Sequence, residues 1–168
     1  MDCISQTVQL AYFETITHSS EETQEIGRAM GSMARPGHVF LLDGELGSGK
    51  TCLTQGVLWG MGGDEYARSP TFVLVSEYKA AMMLYHIDLY RLGTPQEILD
   101  LGLDEYLDGE GVCVVEWADR APSLLSEKNL AVSLETVGDT DRRLIMSTDA
   151  PEYTDIIDAV ADSALVQR

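Results

Sequence analysis

The chain has 168 residues and a mass of 18.4 kDa, the size of one ordinary domain and too little for two full catalytic ones. Hydrophobic residues make up 45% and charged residues 23%, and a mean hydropathy of −0.05 belongs to a globular chain, which excludes disorder of the whole. The net charge is −17, of which −12 arises over residues 92–168, so the surface as a whole repels nucleic acid and anionic membrane.

In chain order, Val8 to Thr15 reads as a strand, and Ser19-x-x-Glu22 behind it has the spacing of a capping box, in which each side chain satisfies the other's backbone N–H. The helix that starts there carries an apolar stripe, Ile26, Ala29, Met30, Met33 and Ala34, until Arg35-Pro36-Gly37 stops it. Val39 to Leu42 is a continuous apolar run, the pattern of a strand buried on both faces, and it leads into GELGSGKT. Leu53, Val57, Leu58 and Met61 mark a second helix, closed by Gly62-Gly63. Phe72 to Tyr78 and Met82 to Leu89 are expected to pair as a hairpin.

Pro95 to Leu107 looks helical, broken in two by Gly102, and Val112 to Val115 is a second fully apolar strand, followed by Glu116-Trp117. Asn129 to Val137 and Arg142 to Thr148 are strands around the turn Gly138 to Asp141. From Tyr153 onward, Ile156, Ile157, Val160, Ala164 and Leu165 share one helical face. The fold expected is α/β: a single P-loop NTPase domain over residues 1–148, with a mostly parallel central sheet, antiparallel additions and helices on both faces. Residues 149–168 form a C-terminal amphipathic helical extension, whose stripe favours covering the sheet over binding a partner. Cys3, Cys52 and Cys113 form no CxxC pair, and neither a leader nor an apolar span of membrane length is present, which points to the cytoplasm.

Gly44 to Thr51 matches G-x-x-x-x-G-K-[ST] in full, after a strand and at the start of a helix, the context the motif requires. Its glycines let successive N–H groups turn towards phosphate oxygens, and the helix N-terminus adds partial positive charge. Lys50 is expected on the β- and γ-phosphates, and the Thr51 hydroxyl on Mg²⁺. Such a loop needs a carboxylate on the metal side at the end of a neighbouring strand. Glu116, which ends VCVVE, takes that role ahead of Asp88 in LYHIDLYR. Asp88 then orients the attacking water or completes the metal shell, its alternatives being a pair with Arg91 or a cap on the following turn. His86 shares its strand face and is read as structural. Thr71, in Ser69-Pro70-Thr71-Phe72, either bonds γ-phosphate or Mg²⁺ or merely opens a strand. Trp117 is either a core anchor or a partner-facing aromatic.

N-K-x-D is absent, and the single D-x-x-G match, Asp108 to Gly111, precedes a strand, so ATP is favoured over GTP. A kinase of a small metabolite is the alternative, but basic residues are sparse after Arg91, and the mid-to-late candidates for its arginine lid are Arg120, Arg142 and Arg143. A nucleotide-gated binding module is a third reading.

GELGSGKT, SPTF, LYHIDLYR, LGLDEYL and VVEW, in that order over about residues 19–148, resemble the TsaE (YjeE) family, small bacterial ATPases of tRNA threonylcarbamoyladenosine synthesis. The resemblance implies an ATPase that regulates or resets the TsaD and TsaB synthase subunits and reaches tRNA only through them. It implies that Glu45, Leu46, Gly47, Ser48, Gly49, Lys50 and Thr51 cradle the phosphates, that Thr51 and Glu116 serve magnesium, and that Asp88 supports hydrolysis. By the same resemblance Ser20 and Thr23 meet the nucleotide edge, and Trp117 matches the family's E-W tryptophan. Cys52 stands where a small or polar residue is common.

Overall fold

The computed structural model describes residues 11–121, 125 and 127–166, with side chains described as far as residue 164. Seven strands, β1 (Ala11–Thr17), β2 (Val39–Asp43), β3 (Val75–Tyr78), β4 (Leu84–Asp88), β5 (Val112–Glu116), β6 (Leu130–Thr136) and β7 (Arg142–Thr148), form one sheet in the order β1-β7-β6-β2-β5-β4-β3. The central four, β6, β2, β5 and β4, are parallel; β3 on one side and β7 and β1 on the other are antiparallel additions. The two runs expected to be buried on both faces are the innermost pair: Phe40 lies beside Val114 and Leu42 beside Glu116.

Helices α1 (Ser20–Ser32), α2 (Lys50–Gly60) and α5 (Thr154–Val166) cover one face, and the short α3 (Pro95–Asp100) and α4 (Leu103–Leu107) cover part of the other. The capping spacing at α1 works with one change. Ser19 Oγ accepts from Glu22 N at 3.1 Å, but the Glu22 carboxylate accepts from His18 N at 2.7 Å, one residue earlier than a reciprocal box would have it. The break at Gly102 is real, with φ at 73°, and Thr94 with Glu97 forms a complete capping box ahead of α3.

Helix α1 packs on α2 through glycines facing glycines. A side-chain carbon on Gly56 would sit 2.9 Å from Gly27 Cα and collide with the Gln24 carbonyl; one on Gly31 would lie 3.0 Å from Gly60 Cα. The backbones therefore approach closely enough to seat Ile26, Met30, Leu53 and Leu58, all fully buried, between helices and sheet. Ile156, Ile157, Val160 and Ala164 of α5 join the same core, and the Tyr153 hydroxyl accepts from Val39 N at 2.9 Å, tying the tail to the start of β2. The Leu165 side chain and the expected strand residues Val8 to Leu10 lie outside what is described.

The hairpin forms, with Val75 opposite Ile87 and Tyr78 opposite Leu84, but its first strand begins three residues later than the run starting at Phe72 implies. Residues 71–74 are a turn, and Leu74 has a left-handed φ of 68°, which ends strand geometry there.

Candidate functional site

The C-terminal ends of β2, β4 and β5 open onto one edge of the sheet, and the predicted site residues gather there. From Asp43 the chain turns through Gly47 and Gly49, at φ of 78° and 106°, conformations closed to most side chains, and enters α2 at Lys50. Gly49 supplies no side-chain cap, so the first N–H groups of α2 have neither an intrahelical partner nor a capping oxygen. That is the arrangement that receives an anion. Ser48 is buried, and its hydroxyl has no hydrogen-bond partner among the described residues.

Lys50 folds back over its own loop, donating to the carbonyls of Gly44 at 2.6 Å and Glu45 at 2.9 Å, with its ammonium 5.0 Å from the centre of the Trp117 ring. Burial pulls its pKa below the usual lysine value, and the carboxylates of Glu116, Asp88 and Asp43 oppose that shift. Three acidic groups thus face one ammonium.

Asp88 and Glu116 are directly in register on the parallel pair β4 and β5, and both are buried. A buried carboxylate needs donors. Asp88 has two, the Tyr90 N–H on Oδ1 and the Thr71 hydroxyl on Oδ2, each at 2.8 Å, so the cap on the following turn and the contact with Thr71 both exist. Arg91 does not take the pairing role; its guanidinium stacks over Phe72, 4.1 Å from the ring centre. Glu116 Oε1 lies 2.7 Å from Nε2 of the fully buried His86, with Nε2–H as the donor the carboxylate requires. His86 is structural in the sense of holding a functional candidate; its Nδ1 has no partner among the described residues.

Two cavities flank the loop. One of about 530 Å³ is lined by Gly44, Glu45, Ser48, Trp117, Glu135 and Thr136. The other, about 210 Å³, is lined by Ser20, Thr23, Gly47, Gly49, Cys52 and Arg142, so the two α1 residues expected at the nucleotide edge do meet the loop. Thr23 shares a hydrogen bond with Thr17 (2.7 Å), and Arg142 reaches the Gly47 carbonyl at 3.4 Å, a contact with no signal in the sequence. Thr51 is half-buried in the first turn of α2, and Leu46 is 69% exposed at the loop tip. Trp117, in a left-handed conformation at φ 58°, stacks against Tyr90 at 4.8 Å with Arg120 over both rings, so it faces the site as well as the core. Among the described residues, no cluster of three His, Cys, Asp or Glu forms a metal site by itself.

This is a mixed α/β domain in which a glycine loop joins the central parallel strand β2 to an uncapped helix and carboxylates end the next two strands, β5 and β4. The family model for threonylcarbamoyl adenosine biosynthesis protein TsaE matches residues 17–145, and the chain belongs to the TsaE family. The tRNA threonylcarbamoyladenosine biosynthesis protein TsaE of Bacillus subtilis is 39% identical over 138 residues, 82% of this chain and 86% of that one. Its counterpart in Treponema pallidum is 36% identical over 132 residues, 79% and 98% of the respective chains. The crystal structure of YdiB from Bacillus subtilis superposes with a TM-score of 0.79 at 31% identity, covering 92% of this chain and 97% of that one. The family works in tRNA threonylcarbamoyladenosine biosynthesis. Among the described residues, no helix is long and apolar enough to cross a membrane.

Proposed function

We propose that this protein binds ATP with Mg²⁺ and hydrolyses it slowly in support of tRNA threonylcarbamoyladenosine synthesis, regulating or resetting the TsaD–TsaB complex in the cytoplasm. One observation carries the reading. The uncapped start of α2, Lys50 and the in-register carboxylates Asp88 and Glu116 converge on one edge of the sheet.

The N–H groups of Glu45 to Thr51 would hold the phosphates, and Lys50 would exchange the Gly44 and Glu45 carbonyls for phosphate oxygens. Thr51 and Glu116 would hold the metal, Glu116 having one oxygen committed to His86 and the second remaining; the ion's chemistry is neutralisation of phosphate charge. Asp88, fixed by Tyr90 N–H and Thr71, accepts a hydrogen bond from the attacking water and so orients it in line with the γ-phosphate. Ser20 and Thr23 would border the nucleotide in the smaller cavity. With a net charge of −17, the protein reaches tRNA through its partners.

The test is steady-state ATP hydrolysis with magnesium, alone and with TsaD–TsaB. Stimulation by the pair is expected, since positive charge or closure supplied in trans is worth about 10³–10⁵ in P-loop enzymes. Lys50→Ala should abolish it and cost about 1.5–3 kcal/mol of nucleotide affinity. Absence of stimulation and of a complex, with a phosphorylated metabolite forming alongside ADP, would install the kinase reading instead.

A further inference from the structure

The turn that replaces the expected start of β3 holds two adjacent exposed apolar residues at the site edge, Phe72 at 82% and Val73 at 66%. Single exposed apolar residues are ordinary. This pair is distinguished by how firmly it is held. The N–H groups of Val73 and Leu74 both donate to the Pro70 carbonyl, at 3.1 and 2.7 Å, and Arg91 is stacked on the Phe72 ring. Leu74 keeps its left-handed φ, a conformation that a branched side chain holds only where the surroundings impose it. A rigid aromatic beside an arginine is the composition of an interface anchor, because little side-chain entropy remains to be lost on binding.

The same turn is fastened at both ends to the residue assigned to hydrolysis. Thr71 Oγ1 donates to Asp88 Oδ2 at 2.8 Å, and Asp88 N donates to the Leu74 carbonyl at 2.9 Å. Arg68 and Arg91, both exposed, lie on either side of the turn in the sequence, and Asp88 is buried.

We propose that Phe72 and Val73 form the plug by which this protein docks on a partner protein. The partner surface it fits is an apolar pocket rimmed by carboxylates, which Phe72 fills while Arg68 and Arg91 pair with the rim. Docking is read out from the nucleotide site through the Thr71–Asp88 bond. Two exposed arginines on a molecule with a net charge of −17 are too little to hold a phosphate backbone, which favours a protein over RNA. The inference rests on the proposed function in taking TsaD–TsaB as the partner and Asp88 as a group at the nucleotide.

The experiment measures affinity of the full-length protein for TsaD–TsaB by a surface biosensor, with ADP and with a non-hydrolysable ATP analogue. Phe72→Ala/Val73→Ser should weaken binding at least tenfold while leaving partner-free ATP affinity, hydrolysis and thermal midpoint unchanged; Arg91→Glu should weaken it too. Thr71→Val should retain docking and lose the difference between the two nucleotides. Wild-type affinity in the double variant overturns the plug, and undiminished nucleotide discrimination in Thr71→Val overturns the coupling. Failure of the wild-type protein to bind TsaD–TsaB at all overturns the partner in the proposed function and the docking assignment with it. Loss of tRNA retention by the double variant, with TsaD–TsaB binding intact, would reassign the surface to nucleic acid.

Discussion

Replacing Gly56 with alanine tests whether the α1–α2 contact sets the position of the loop. Alanine in a helix interior is favoured over glycine by about 1 kcal/mol, so propensity alone makes Gly56→Ala stabilising. The added carbon would stand 2.9 Å from Gly27 Cα and against the Gln24 carbonyl, whereas carbon atoms rest at about 3.5–4.0 Å, so the helices must part by on the order of 1 Å. Both obstacles are backbone, and neither can swing aside. Overpacking of this kind costs about 1–3 kcal/mol, and the upper end applies to two rigid helices, leaving a net loss of about 2 kcal/mol. For a chain of this length that lowers the thermal midpoint by about 4–8 °C. Circular dichroism melts and urea titrations measure it, and the double variant with Gly27→Ala should lose less than the sum, since the helices are already apart. Because α2 begins at Lys50, nucleotide affinity should fall as well. A Gly56→Ala protein as stable as the wild type, or more so, would refute the reasoning.

Asp88→Asn should slow hydrolysis while leaving ATP affinity within about threefold, a split expected of a group that acts on water more than on phosphate; equal loss of both rejects that division. His86→Ala should cost about 3–5 kcal/mol by leaving the buried Glu116 without its donor, and a urea-derived loss below about 1 kcal/mol would show that the pair is not holding the carboxylate. Burial holds the His38 pKa below its usual value, and its Nδ1 accepts from Arg35 N–H at 3.1 Å, which requires the neutral ring. The unfolded chain therefore binds the proton more readily, so His38 contributes stability that is complete above about pH 6.5 and lost as pH falls below it. Urea midpoints from pH 5 to 8 should show a shallower acid-side decline in His38→Gln. Cys113, its thiol pushed up to about 12 by burial, should escape alkylation in the native protein at pH 8, as followed by mass spectrometry.

The β2–loop–α2 unit was legible because three independent signals coincide there: an unbroken apolar run, a complete glycine motif and a helical stripe behind it. The division of 95–107 at Gly102 was legible for a similar reason, since glycine there supplies a conformation that its neighbours cannot. Phe72 to Leu74 misled because apolar, β-rich composition predicts a strand, and the left-handed Leu74 is imposed by bonds to Pro70 and Asp88 rather than by its own preference. The partnership of His86 with Glu116 depends on the parallel register of β4 and β5, which no local pattern encodes. Gly27, Gly31, Gly56 and Gly60 look like weak points of two helices when each is read alone. Only when the helices face each other do they become the condition for contact.

The place of β2 in the sheet bears on how the protein is made. Its neighbours, β5 and β6, lie some 70 to 90 residues further along the chain, so a ribosome that has just released the GELGSGKT loop has produced neither wall that supports it. At ordinary elongation rates the wait is on the order of ten seconds. During that interval the strand is an unsatisfied apolar ribbon, and pairing must then close long sequence gaps, a slow step in any topology. The loop gains both of its walls only once β5 and β6 have been made, which makes the unfinished chain a natural client for chaperones.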